Sequence, residues 1–129
     1  MNMRFKLLCL SVVACAAGLS AAGDPRLIQA VKAQDEASVR ALLKQRADVN
    51  VQQGDGATAL HWAANFDNLT IADLLIRAGA RVDAANDLGS TPLHLACTNR
   101  SAPMVERLLD AKANANAKLL NGETVLMTC

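Results

Sequence analysis

The residues best equipped for chemistry in this 129-residue chain are two histidines and four cysteines. His61 stands in "TALHWAA" and His94 in "TPLHLAC", the same local frame written 33 residues apart. An imidazole can move protons near neutral pH and can bind a metal. Equivalent positions on stacked helices lie roughly 8–10 Å apart, whereas a His–zinc bond is about 2 Å, so this pair is not expected to share an ion. The chain also holds no H-x-x-x-H pair, no G-x-S-x-G elbow and no phosphate-cradling glycine loop. The sequence thus sets no acid, base and nucleophile to converge on one place, and no metal or cofactor is expected.

The elements around these residues begin with an N-terminal leader. Arg4 and Lys6 precede the apolar run "LLCLSVVACAA", which ends in small residues, and Ser20 and Ala22 suit a small-x-small cleavage site. Residues 1–22 therefore read as a signal peptide, leaving a domain over 23–129. A membrane anchor needs about 20 apolar residues, and Gly18, Ser20 and Gly23 interrupt the run early. A second possibility is local: "VVAC", Val12 to Cys15, resembles the lipobox of bacterial lipoproteins, in which the cysteine becomes the lipidated first residue. Either way the chain is expected to be exported, in the style of bacterial proteins of the periplasm or outer surface.

Of 13 Lys and Arg, Arg4 and Lys6 lie in the leader, which leaves 11 against 12 Asp and Glu. The near-neutral, interspersed charge and the scarcity of aromatics (Phe5, Trp62 and Phe66) argue against a nucleic-acid surface. The apolar content comes mainly from Ala, Leu and Val. That composition suits closely packed helices better than strands, which favour aromatic and β-branched residues.

Beyond the leader the chain repeats itself. "TALH" at Thr58, "TPLH" at Thr91 and "TVLM" at Thr124 fall at a step of 33, and one step back lies "PRLIQAVKAQDEASVRALLKQ" at Pro25. Thr58, Thr91 and Thr124 occupy helix N-cap positions, where a hydroxyl can accept from first-turn amides. Pro92 fits the first helical position, where its missing amide costs nothing, and Asp24 with Pro25 offers the same cap one residue earlier. Leu60, Ala63 and Ala64, then Leu93, Ala96 and Cys97, give each first helix a small-residue face. A second helix follows, with Ile71, Leu74 and Leu75, or Met104, Val105, Leu108 and Leu109, at helical spacing. Gly79 ends the second helix of repeat two as a left-handed residue. Arg46 and Lys112 hold the equivalent places, and a side chain there costs roughly 1 kcal/mol or more, so repeats one and three are expected to have poorer helix ends.

A period of 33 carrying T-P-L-H-x-A resembles the ankyrin repeat, and the likeness covers essentially all of 24–129. The resemblance implies an all-α repeat solenoid of helix-turn-helix units with β-hairpin or loop fingers, tipped here by Gly56, Gly89 and Gly122. Three complete repeats (about 22–54, 55–87 and 88–120) and a truncated fourth (121–129) are expected, with Val125, Leu126 and Met127 short of partners; the natural chain is expected to continue. His61 and His94 are expected to hold the turn before each first helix. Cys97 and Cys129 fall on corresponding helices of adjacent repeats, whereas a disulfide needs Cα atoms within about 7 Å; two buried free thiols are expected.

Recognition is the expected activity, non-enzymatic and directed at an unidentified protein, with neither nucleic acid nor a small-molecule substrate. The resemblance places partners in a groove lined by finger tips and first-helix positions: Gln52, Asp55, Ala57, Asn65 and Phe66; then Asp87, Leu88, Ser90, Thr98 and Asn99; then Asn121 and Glu123. Trp62 reads either as extra core in repeat two or as an aromatic anchor in that groove. A second reading makes the chain the N-terminal binding portion of a larger exported protein or enzyme.

Overall fold

The computed structural model describes residues 24–129. The leader expected over 1–22, with its cleavage site, lipobox and Cys15, lies outside the described residues. Seven helices follow in order among them: α1 Arg26–Lys32, α2 Glu36–Lys44, α3 Ala59–Asn65, α4 Leu69–Arg77, α5 Pro92–Thr98, α6 Ala102–Asp110 and α7 Val125–Thr128. Each of the first three pairs forms a hairpin (α1 with α2, α3 with α4, α5 with α6). The hairpins stack so that α1, α3, α5 and α7 make an inner row and α2, α4 and α6 an outer one. This is the all-α solenoid of three repeats, with the opening of a fourth.

Local chemistry sets the helix starts. Thr58 and Thr91 are extended N-caps, each closing a capping box with the histidine three residues on, and Pro92 opens α5. Thr124 caps α7 without such a box, because Met127 stands where the histidine would be. The outer helices are capped by Asp35, Asn68 and Ser101, one per repeat, whose side chains accept from the amides of Ser38, Ile71 and Met104. Those three caps escaped the sequence reading because their residue types differ, although each is a residue type favoured at that position.

Helix ends follow the same period. Arg46 (φ 59°), Gly79 (φ 92°) and Lys112 (φ 72°) are all left-handed, so repeats one and three hold a side chain where repeat two has glycine. The turn inside each hairpin uses a left-handed residue too, Gln34, Asp67 and Arg100, with φ between 54° and 56°.

The core runs along the seam between the two rows. Leu27, Ile28 and Val31 of α1, Leu60, Ala63 and Ala64 of α3, and Leu93 and Ala96 of α5 are buried against Val39, Ile71, Leu75, Met104 and Leu108 of the outer row. Burying a Leu, Ile or Met side chain contributes about 1.5–3 kcal/mol, and the alanines let the inner helices approach closely. Of the helical face expected in the outer row, Leu74 and Val105 are half-buried and Leu109 is exposed.

Of the two finger forms expected, β-hairpin or loop, the chain takes the loop, and one other expectation is corrected. The fingers are not β-hairpins: single bridges, Gln52 to Thr58 and Lys118 to Thr124, close the first and third. The second closes through the Asn86 amide donating to the Ser90 carbonyl. The tips also bond sideways to the next tip, in addition to these bonds across their own arms. The correction concerns the thiols, since Cys97 and Cys129 form a disulfide with their Cα atoms 4.6 Å apart. Cys129 lies 32 residues on, one short of the period, so it is the counterpart of Ala96 and leans back across the small-residue seam toward Cys97.

Candidate protein-binding groove

The groove between finger tips and inner helices is built on the two histidines. His61 Nδ1 accepts from the Thr58 amide at 3.1 Å and faces the Thr58 hydroxyl at 2.9 Å. Since Nδ1 accepts from an amide, the ring proton resides on Nε2, which donates to the Ser90 carbonyl of the next repeat at 2.9 Å. One imidazole thus ties its own helix start to the neighbouring finger. His94 repeats the contact with Thr91, but its Nε2 is buried without a partner. Burial pushes both imidazoles below the ordinary histidine pKa; at His61 the Ser90 carbonyl and the charge of Asp55 oppose that push. Both rings are thereby held neutral, and those of His61 have no valence left for a substrate.

Finger tips pack directly on one another. The Asp87 amide donates to the Asp55 carbonyl at 2.9 Å, and the Leu120 amide to the Leu88 carbonyl at 3.1 Å. Gly56 and Gly89 permit this: both have positive φ, and a Cβ on either would meet the next tip at about 3.1–3.2 Å. Below the tips, Asn50 accepts from the Arg81 amide and Asp83 from the Asn114 amide, so the same position staples each repeat to the next. Backbone and side chains are therefore fixed before any partner arrives.

Several residues expected in the groove have internal tasks. Ala57 is 5% exposed; it precedes the N-cap, and its carbonyl accepts from the Gln53 amide inside the finger, so its methyl joins the core. The Asn99 side chain donates to the carbonyls of Ala64 and Asn65, closing the end of the neighbouring helix. The Thr98 hydroxyl donates to the His94 carbonyl. Ser90, half-buried, contributes the carbonyl taken by His61. Trp62 is half-buried, with its indole N–H donating to Gln53 Oε1 at 2.8 Å and the Lys32 ammonium 4.2 Å from its ring centroid. It therefore joins core and groove. Phe66 lies 5.8 Å from Trp62, centroid to centroid, and is 38% exposed.

Gln52, Asp55, Asn65, Asp87, Leu88, Asn121 and Glu123 are exposed. A depression of about 170 Å³ brings Asp55, Trp62, Asn65, Asn86 and Leu95 together, joining the tip of one finger to the inner face of two helices. Gln52 instead lines a larger cleft, about 720 Å³, between the finger bases with Asp48, Asn50, Arg81 and Asp83. Two of those side chains are already spent on the repeat-to-repeat staples. Among the described residues no group of three His, Cys, Asp or Glu is placed to hold a metal ion, and no helix is long and apolar enough to cross a membrane.

Comparison with known proteins agrees with this geometry. Over 68 residues the chain is 43% identical to the zebrafish (Danio rerio) palmitoyltransferase ZDHHC17, covering 50% of this chain and 11% of that protein. Over 74 residues it is 39% identical to neurogenic locus notch homolog protein 1 of Xenopus tropicalis and of human, covering 57% of this chain and 3% of each relative. The chain thus spans about a tenth or less of the length of these relatives, all of them vertebrate. The family model described as ankyrin repeats, in three copies, matches residues 27–119, and with the stacked hairpins, the 33-residue period and the Thr–His capping boxes it makes this chain a member of the ankyrin-repeat family.

Proposed function

We propose that the chain is a protein-binding scaffold that presents the groove over repeats two to four to one protein partner. The observation that carries this is the division of labour at the groove. Polar groups beneath it, His94 Nε2 excepted, are bonded within and between repeats, while Phe66, Leu88 and Leu120 remain exposed above. Apolar side chains held on a rigid back suit recognition, because little ordering entropy is lost on binding. The test is a double variant, Phe66→Ala with Asp87→Ala, assayed against a partner isolated by cross-linking to the native protein. Affinity is expected to fall while the thermal unfolding midpoint stays within a degree or two, roughly what exposed substitutions do. Equal loss of both would make these residues structural and sink the reading.

The working compartment proposed is an exported one, the periplasm or the outer surface, reached through a leader that is cleaved or lipidated at Cys15. Two observations support it: the basic-then-apolar composition of residues 1–22, and the Cys97–Cys129 disulfide, a bond that persists in oxidising compartments. Cell fractionation with thiol-alkylation mass shifts tests this; recovery of a reduced, unprocessed chain in the cytosol would refute it. A second reading, that the repeats are the recognition arm of a larger exported protein, rests on relatives of which the matched stretch covers only 11% or 3%. Immunoblotting for the size of the native product distinguishes the two.

A further inference from the structure

The finger tips carry carboxylates that no salt bridge among the described residues engages. Asp55, Asp87 and Glu123 are exposed on successive fingers, and the Asp87 amide bonded to the Asp55 carbonyl sets two of them on touching tips. The ion pairs among the described residues bind Asp24, Glu36 and Asp73, all away from the tips. Over 52–66, 85–99 and 119–128, which supply the tips and the inner helices α3, α5 and α7, there is no Lys or Arg, although Lys32 of α1 lies over Trp62 and Lys118 stands at the base of the third finger. The outer row is balanced in charge, with Arg40, Lys44, Arg77 and Arg107 against Glu36, Asp73, Glu106 and Asp110.

Apolar side chains stand between the carboxylates. Leu88 is 69% exposed and Leu120 77%, adjacent through the bond between their tips, with Phe66 on the helix side. Trp62 shows that this wall accepts a cation, because the chain's own Lys32 ammonium already lies over its ring. Unpaired carboxylates alternating with exposed leucines favour a ligand of complementary pattern: charge steers the encounter and sets register, and apolar contact adds affinity. Nucleic acid and anionic lipid, both negative, would be repelled.

We infer that the groove takes a basic amphipathic segment of a partner protein, with Lys or Arg against Asp55, Asp87 and Glu123 and aliphatic side chains against Leu88, Leu120 and Phe66. This rests on the scaffold reading and narrows it to one chemical class of partner. The first experiment selects short random peptides on the purified chain and retains those lost on the Phe66→Ala variant. Enrichment of Lys and Arg interleaved with aliphatic residues is expected. Groove-dependent peptides without that enrichment would overturn the inference and leave the scaffold reading standing; no groove-dependent peptide would sink both.

The second experiment titrates a labelled peptide of alternating Lys and Leu, with its Glu–Leu counterpart as control. Asp55→Asn with Asp87→Asn is expected to weaken the Lys peptide about tenfold, as is a rise from about 0.05 to about 0.5 M salt. The variant keeps side-chain shape, and a native far-UV spectrum and unfolding midpoint will show that it folds. Unchanged affinity in that folded variant, or equal binding of the Glu peptide, refutes the inference. Light scattering adds a last outcome: association of the chain with itself, abolished by the same variant, would put a second copy in the groove and overturn assignment to a separate partner.

Discussion

Repeats two and three meet through one set of contacts, and repeat three meets the fourth unit through another. At the first interface the His61 proton reaches the Ser90 carbonyl, Asn99 closes the end of α3, and the Ser101 hydroxyl donates to Asp67. At the second, His94 Nε2 is buried and unpaired. Val125 is buried while Leu126 and Met127 are exposed, and a disulfide supplies the tie. The contrast teaches that a repeat's stability is a property of its interfaces, as nearest-neighbour coupling in stacked repeats requires. Where the polar network is complete no covalent link is present; where it is incomplete, one is.

Breaking the covalent tie should give the largest effect. Cys97→Ser with Cys129→Ser, or reduction of the native chain, is expected to cost about 3 kcal/mol for a loop of this size. Hydrogen exchange should locate the loss at residues 113–129 and leave α3 and α4 protected. Uniform deprotection of all repeats would show the two interfaces to be energetically alike.

The histidines offer a finer comparison. His61→Gln should destabilise by about 1–3 kcal/mol, since Thr58 and the half-buried Ser90 carbonyl lose their partner. His94→Gln should cost less, having no cross-repeat bond to lose; denaturant unfolding of the two variants provides the ranking. Acid adds a check on sign. Both folded pKa values are lowered from 6.5, so the unfolded chain takes up protons first. The stability these rings contribute is whole above pH 6.5 and lost as pH falls below it. The unfolding midpoint should be flat above that value and fall beneath it, less steeply in the double Gln variant.

The smallest effect sharpens the comparison among helix ends. Arg46→Gly and Lys112→Gly should each stabilise by about 0.5–1 kcal/mol, and Gly79→Ala should destabilise by a similar amount, because only glycine takes the left-handed conformation without steric cost. Thermal melts of the three variants would reveal a departure if the signs did not oppose.

Much of this architecture was legible from residue types that recur at a fixed step. The threonine caps, the small-residue faces and the left-handed positions at Arg46, Gly79 and Lys112 are local requirements, and a local requirement leaves its mark at each repeat. The groove was less legible. Its exposed members, such as Asp55, Phe66 and Asp87, stand where the period puts them, but the period does not show that Ala57 is buried, that Trp62 spans core and groove, or that the exposed Asn99 bonds to the neighbouring helix. Their roles depend on which carbonyl or ring of the next repeat lies within reach, and no single repeat encodes that.

The linear chain by itself determined the unit, its caps and its buried stripe, because these are settled by backbone propensity and by spacing within about thirty residues. Only the stacked structure decided how neighbours meet. It brought Cys129 one residue out of register onto Cys97, carried the Asn99 amide to the end of the neighbouring helix, bonded finger tip to finger tip and left Asp55, Asp87 and Glu123 exposed. Those outcomes hang on shifts of an ångström or so between alanine-faced helices. A hydrogen bond or a disulfide tolerates no more than that, and a repeat period counted in whole residues does not resolve it.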